Sequence, residues 1–95
     1  MTHYLLLKLK ESQNLSAFMQ EARPRLERFL ASDVGITGVK LVPNAADRAE
    51  NMDLLIMLEM REAAVLPRYL ASDIHHDFIL WAGPQVAQKI TFDLE

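Results

Sequence analysis

The sequence predicts an α+β domain: one four-stranded antiparallel sheet, assembled in the chain order β-α-β-β-α-β, with its helices on one side. Three observations carry that expectation. Four short apolar runs are too brief for helices and are bounded by polar or Gly/Pro punctuation. Two intervening regions repeat apolar residues at steps of three and four, the spacing of a buried helix face. The chain has 95 residues, which suits a single domain over residues 1–95, because independent domains cluster near about 100–150 residues.

The first strand is expected over residues 3–9, His-Tyr-Leu-Leu-Leu-Lys-Leu, ending at the polar stretch Lys10-Glu11-Ser12-Gln13-Asn14. A helix follows over residues 15–30. Leu15, Phe18, Met19, Ala22, Leu26, Phe29 and Leu30 share one side of it, while Gln20, Glu21, Arg23, Arg25, Glu27 and Arg28 fill the other. Asn14 is placed to cap its first turn. Pro24 falls on the polar side; it deletes the bond back to Gln20 and is expected to bend the helix without ending it. Ser32-Asp33-Val34-Gly35 is a stop, residues 36–42 are the second strand, and residues 43–51 form a polar loop. The third strand is expected over residues 52–60, with Leu54, Ile56, Leu58 and Met60 on one face and Leu55 and Met57 on the other. A second helical region begins near Ala64, which leaves Pro67 in its first turn. It carries Val65, Leu66, Tyr69 and Leu70. Ser72-Asp73 breaks and recaps it, so that Ile74, Phe78, Ile79, Trp81 and Ala82 belong to a separate short segment ended by Gly83-Pro84. Residues 88–95 alternate strictly and make the fourth strand.

This order is the ferredoxin-like split βαβ arrangement. Right-handed crossovers place strands one and three in the centre and strands two and four at the edges. Both helical regions then cover the same face. The two central strands are nevertheless apolar on both faces, whereas a sheet with one wet face alternates. Apolar patches beyond a few hundred Å² usually mark an interface. A second copy of the chain is therefore expected to cover the open side, sheet against sheet.

Composition narrows the function. Thirteen acids against ten bases give a net charge of −3, the wrong sign for a nucleic-acid partner. The absence of cysteine removes disulfides, thiolate metal sites and cysteine nucleophiles. The apolar run near the start is stopped by Lys8 and Lys10, too early for a signal peptide or a membrane span. The expectation is a soluble, cytoplasmic domain with no membrane partner.

Three groups of residues bear on chemistry. His75 and His76 suggest a metal, but adjacent helical residues diverge by about 100°, and no third ligand is spaced to help; no metal and no other cofactor is expected. Tyr69 and His75 would point apart on an unbroken helix, yet a break at Ser72-Asp73 lets the imidazole fold back toward the phenol. A His near neutrality takes a proton and a Tyr hydroxyl donates to the oxyanion that results, the minimum for enolate or aldol chemistry. The alternative assignment is that His75 caps a helix start while Tyr69 is a core aromatic. Topology sets a third pair: strands one and four run antiparallel, so His3 lies near Asp93, either as an imidazole supported by a carboxylate or as a surface cross-strand pair. Arg23, Arg25 and Arg28, interleaved with Glu21 and Glu27, form a solvated helix face.

The opening His3-Tyr4-Leu5-Leu6-Leu7-Lys8-Leu9-Lys10, the strand entry Ile36-Thr37-Gly38-Val39, the Tyr69-to-His75 spacing followed by Phe78, and the closing Thr91-Phe92-Asp93-Leu94 together resemble the stress-responsive dimeric α/β-barrel (Dabb) domain family over nearly the whole chain. The resemblance implies a homodimer whose two sheets close into a dimeric α/β barrel. A plant polyketide cyclase of that family uses a Tyr and a His for intramolecular aldol closure. On that resemblance His75 is the base, Tyr69 the hydrogen-bond donor, and His3 and Asp93 match supporting positions. The chain departs from the family's His-Pro-x-His segment: Ser72 and Asp73 stand in place of the first His and the Pro, and the second His is kept as His75. Related dimeric barrels include heme-degrading and cofactor-free monooxygenases. The leading expectation is a homodimer with a small apolar pocket beside Tyr69 and His75 for a small, largely apolar organic molecule. The competing one is a non-catalytic stress-protective or scaffold dimer. A void of several hundred Å³, lined by Phe, Leu and Met with His75 on its wall, separates them; a space filled by Trp81 or Phe78 rules the catalyst out.

Overall fold

Which strands sit in the middle of the sheet follows from which are apolar on both faces. A computed structural model describes residues 1–95. It places β1 (Thr2–Leu9) and β3 (Leu54–Met60) at the centre, with β2 (Ile36–Pro43) and β4 (Val86–Leu94) at the edges, in the order β2-β3-β1-β4 and antiparallel throughout. Three α-helices, α1 (Leu15–Ala31), α2 (Val65–Leu70) and α3 (Asp73–Ala82), and one 3₁₀ turn at Gly83–Gln85 complete the fold. This is the ferredoxin-like arrangement expected from the sequence.

Helix α1 starts where the Asn14 side chain accepts the Ala17 N–H at 2.9 Å and runs unbroken past the exposed Pro24. Its stripe of Phe18, Ala22, Leu26 and Phe29 is buried against Leu5, Leu7 and Leu9 of β1 and Leu54, Ile56, Leu58 and Met60 of β3, all in one core cluster. Each fully buried Leu or Phe of this kind contributes about 1.5–3 kcal/mol. The chain leaves α1 through Gly35, whose φ of +116° is closed to most side chains; a Cβ there would come within 2.7 Å of Val65 Cγ2. Glycine is required at that turn.

Two strand starts differ from the sequence expectation by two residues each. β3 begins at Leu54, not at residue 52. Asp53 donates its N–H to the Leu7 carbonyl at 2.8 Å, but the Leu9 N–H is taken by its carboxylate, at 2.7 Å, so a side chain ends the ladder. β4 begins at Val86, two residues early, because the 3₁₀ turn feeds directly into a bulged register in which Lys8 faces Gln88 and Leu9 faces Val86.

Residues directly opposite in antiparallel strands share a face. His3, Leu5 and Leu7 face the helices, so their β4 partners Asp93, Thr91 and Lys89 do too. Ile90, Phe92 and Leu94 therefore lie on the opposite, open side with Tyr4, Leu6, Leu55 and Met57. β4 is thus polar toward its own helices and apolar away from them, whereas β1 is apolar on both faces.

Candidate active site

Four elements deliver one side chain each. β1 supplies His3, β4 supplies Asp93 across the register, α2 supplies Tyr69 and α3 supplies His75. The two helices bring their residues together because the chain breaks between them. The Ser72 hydroxyl donates to the Tyr69 carbonyl at 2.6 Å and accepts the His75 N–H at 3.3 Å, ending one helix and capping the next. The His75 ring then sits edge-on to the Tyr69 ring, 4.8 Å between centroids. The His3 ring lies 6.1 Å from the Tyr69 ring, and His3 Nδ1 is 2.5 Å from Asp93 Oδ1. His3 is 7 % exposed while Asp93 is open to solvent, so the pair is half-buried, with its imidazole inside and its carboxylate at the surface.

Hydrogen bonding assigns the imidazole tautomers. His75 Nδ1 lies 3.0 Å from the Leu70 carbonyl oxygen, which only accepts; Nδ1 therefore carries the proton and Nε2 of the neutral ring is the basic nitrogen. In His3, Nδ1 donates to the Asp93 carboxylate. Partial burial lowers the pKa of His75; the Leu70 hydrogen bond opposes that shift, while repulsion from Lys89, and from the protonated forms of His3 and His76, adds to it. Burial pushes the Tyr69 hydroxyl above its ordinary range, so it stays a proton donor. Tyr69 is 3 % exposed, but its hydroxyl is not a sealed, partnerless group, and the residue helps to line a pocket.

That pocket has a volume of about 210 Å³, and His3, Tyr69, His75 and Asp93 are all on its wall. Two features correct the sequence expectation. The space is smaller than several hundred Å³, and its lining of Leu5, Leu66, Leu70, Phe78 and Ile79 contains no Met and is matched by polar residues, Lys89 and Thr91 among them. Trp81 does not fill it: that ring stacks on Phe18 at 4.8 Å and carries the Arg25 guanidinium 4.3 Å from its centroid. Arg25 is thus not simply part of a solvated face. Phe78 forms wall, not plug. A neighbouring chamber of about 250 Å³ shares Leu5, Phe78, Ile79 and Lys89 with the first and continues along Leu7, Ala82 and Val86. Together they make a groove between α3 and β4.

His76 is exposed and stands outside this group. No set of three or more His, Cys, Asp or Glu side chains is arranged to hold a metal ion. Lys89 and Thr91 are the site residues that the sequence reading missed. The signal was present: once His3 is set opposite Asp93, strand alternation puts Thr91 and Lys89 on the same face, two and four residues back.

No family model matches the chain, and no curated protein matches it. Solved structures do. A Dabb family protein with a ferredoxin-like fold from Mesorhizobium loti is similar with a TM-score of 0.76 and 18% identity, covering 99% of this chain and 93% of that one. A dimeric protein of unknown function and ferredoxin-like fold from Bacteroides fragilis gives a TM-score of 0.82 and 15% identity, over 99% and 93% of the two chains. A hydroxynitrile lyase from Passiflora edulis gives 0.79 and 10%, over 96% and 87%. The class is therefore defined at the level of the fold: these neighbours are consistent with the dimeric α+β barrel, or Dabb, family that the sequence resembles. At such identities the likeness shows architecture, and chemistry has to be argued from the site.

Proposed function

We propose that the chain works as a cytoplasmic homodimer joined through the open sheet face. In each protomer the groove beside His75 and Tyr69 binds a small organic carbonyl compound and moves a proton at the carbon next to its carbonyl. The observation that carries this reading is the pairing itself: a basic imidazole nitrogen and a protonated phenol, 4.8 Å apart by ring centroids, on the wall of one pocket. In the step envisaged, His75 Nε2 takes the proton as the C–H bond breaks. The electron pair moves into the carbonyl to give an enolate, whose oxygen accepts a hydrogen bond from Tyr69. The imidazolium then returns the proton to the same or another carbon. A lowered pKa keeps His75 in its neutral, basic form at pH 7. The hydrogen-bonded His3–Asp93 pair supports Tyr69, whose ring lies 6.1 Å from that of His3. The dimer is supported by the apolar outer row of β4 and by the dimeric descriptions of similar structures, and the enzymatic reading by a lyase of the same fold.

The test is solvent-deuterium exchange at the activated carbon of small 1,3-diketones and β-keto esters, followed by NMR. Exchange above the buffer rate is expected for the wild type, a return to the buffer rate for His75→Gln, and a fall of about 10²–10³-fold for Tyr69→Phe, the usual effect of removing one oxyanion donor. A second reading, a stress-protective dimer without chemistry, is favoured by the volume of about 210 Å³, below the roughly 300–1,000 Å³ of common ligand sites. Wild-type exchange equal to His75→Gln across the panel would establish that reading instead.

A further inference from the structure

The inner face of β4 holds a residue that neither the packing nor the proposed proton transfer uses. On the side of the sheet under the helices, β1 presents Leu5, Leu7 and Leu9 and β3 presents four apolar residues, all buried. β4 presents Lys89, opposite Leu7. Lys89 lies on the wall of both chambers of the groove. The ion pairs of the protein are His3–Asp93 and Arg48–Glu50, so no carboxylate neutralises Lys89. Its charge is near enough to bear on His75. The one acid of the groove, Asp93, is four residues along the strand, about 13 Å at strand rise, and is held by His3.

We propose that Lys89 is an anion anchor and that the groove takes an amphipathic organic carboxylate, with its carboxylate on Lys89 and its apolar chain in the chamber lined by Leu7, Ala82 and Val86. This rests on the reading of the groove as a ligand site and adds the class of ligand. An ammonium at the mouth of an apolar trough attracts a carboxylate from a distance and, as a flexible point charge, accepts it without strict geometry. The charge requirement is what separates such a ligand from a neutral one of equal length.

The experiment uses the purified full chain and two probes of equal chain length, octanoate and octanamide, with affinities read by ¹H–¹⁵N NMR titration. The wild type is expected to bind octanoate more tightly. Lys89→Met should weaken octanoate by about tenfold, the size of one lost charge-assisted contact at a partly open site, and leave octanamide within about twofold. Lys89→Arg should restore octanoate binding. Added salt should weaken octanoate and not octanamide. Lys89 is exposed, so the variants keep the fold, as matching spectra in the absence of probe will show. Equal octanoate affinity in Lys89→Met and wild type, with both probes still bound, overturns the anchor and leaves the groove standing. Failure of both probes to bind the wild type overturns the groove and the anchor together.

Discussion

The two imidazoles of the groove are held through the same atom by different partners. Nδ1 of His3 donates to a carboxylate and Nδ1 of His75 to the Leu70 backbone carbonyl. Burial disfavours the charged form of His75 more than that carbonyl supports it, and repulsion from Lys89, and from the protonated forms of His3 and His76, acts in the same direction as burial. The folded protein therefore holds out against protonation to a lower pH than the unfolded chain, which takes up this proton near the free value of 6.5. Between the two pKa values the unfolded state binds more protons, so stability rises with pH through that window and is lost as pH falls through it. An NMR titration should place the His75 midpoint below 6.5. The urea midpoint should be higher at pH 7 than at pH 5, and His75→Gln, which cannot titrate, should flatten the part of that slope due to this residue. A His75 midpoint at or above the free value would contradict the assigned environment. The meeting of Tyr69 and His75 was legible in the sequence because Ser72 is a strong helix N-cap and the spacing fails on a continuous helix. The Leu70 carbonyl was not legible, since which backbone oxygen turns toward the ring depends on the path of a two-residue turn.

At the scale of elements, the junction between α2 and α3 sets the geometry. Ser72 serves both helices with one hydroxyl, donating to Tyr69 O and accepting from His75 N. Ser72→Ala should cost about 1 kcal/mol, the usual price of an N-cap, read as a lower urea midpoint. It should also loosen the last turn of α2 against the first of α3, so the His75 titration should move back toward the free value, whereas Ser72→Thr should preserve both. An unchanged titration in Ser72→Ala would mean that packing on Tyr69, not the cap, holds the ring. The strands and helices themselves were legible from periodicity, and so was the central position of β1 and β3. The ends of β3 and β4 were not: one is set by the Asp53 carboxylate replacing a backbone acceptor, the other by a bulge opposite Lys8 and Leu9, and neither leaves a periodic trace. Alternation in β4 was plain, but which parity faces inward comes only from its register with β1. Lys89 was therefore read as part of a strand and not as part of a site.

For the whole molecule, the inverted polarity of β4 ties the groove to the dimer. If the open face met water, the stable choice would be to turn Ile90, Phe92 and Leu94 inward and Lys89, Thr91 and Asp93 outward. Instead Phe92 is 61 % and Leu94 51 % exposed in the single chain, and Tyr4 and Phe92 pack ring to ring at 6.2 Å beside them. An interface that buries about 800 Å² per partner is of ordinary size for a stable complex, and the apolar rows of β1, β3 and β4 are suited to its centre. Covering that face would let β4 keep its polar row for a wet groove, so the proposed dimer and the proposed ligand site would both follow from one choice of register. Sedimentation equilibrium of the wild type should give twice the chain mass of 10.8 kDa. Phe92→Glu places a carboxylate at the centre of an apolar contact, where an unpaired charge costs several kcal/mol, and should shift the chain to the monomer at micromolar concentration. Lys89→Met, on the opposite face of the same strand, should leave the dimer intact. Phe92→Glu sedimenting as a dimer, or the wild type as a folded monomer, would remove the reason for the reversed strand, and the polar row of β4 would need another explanation.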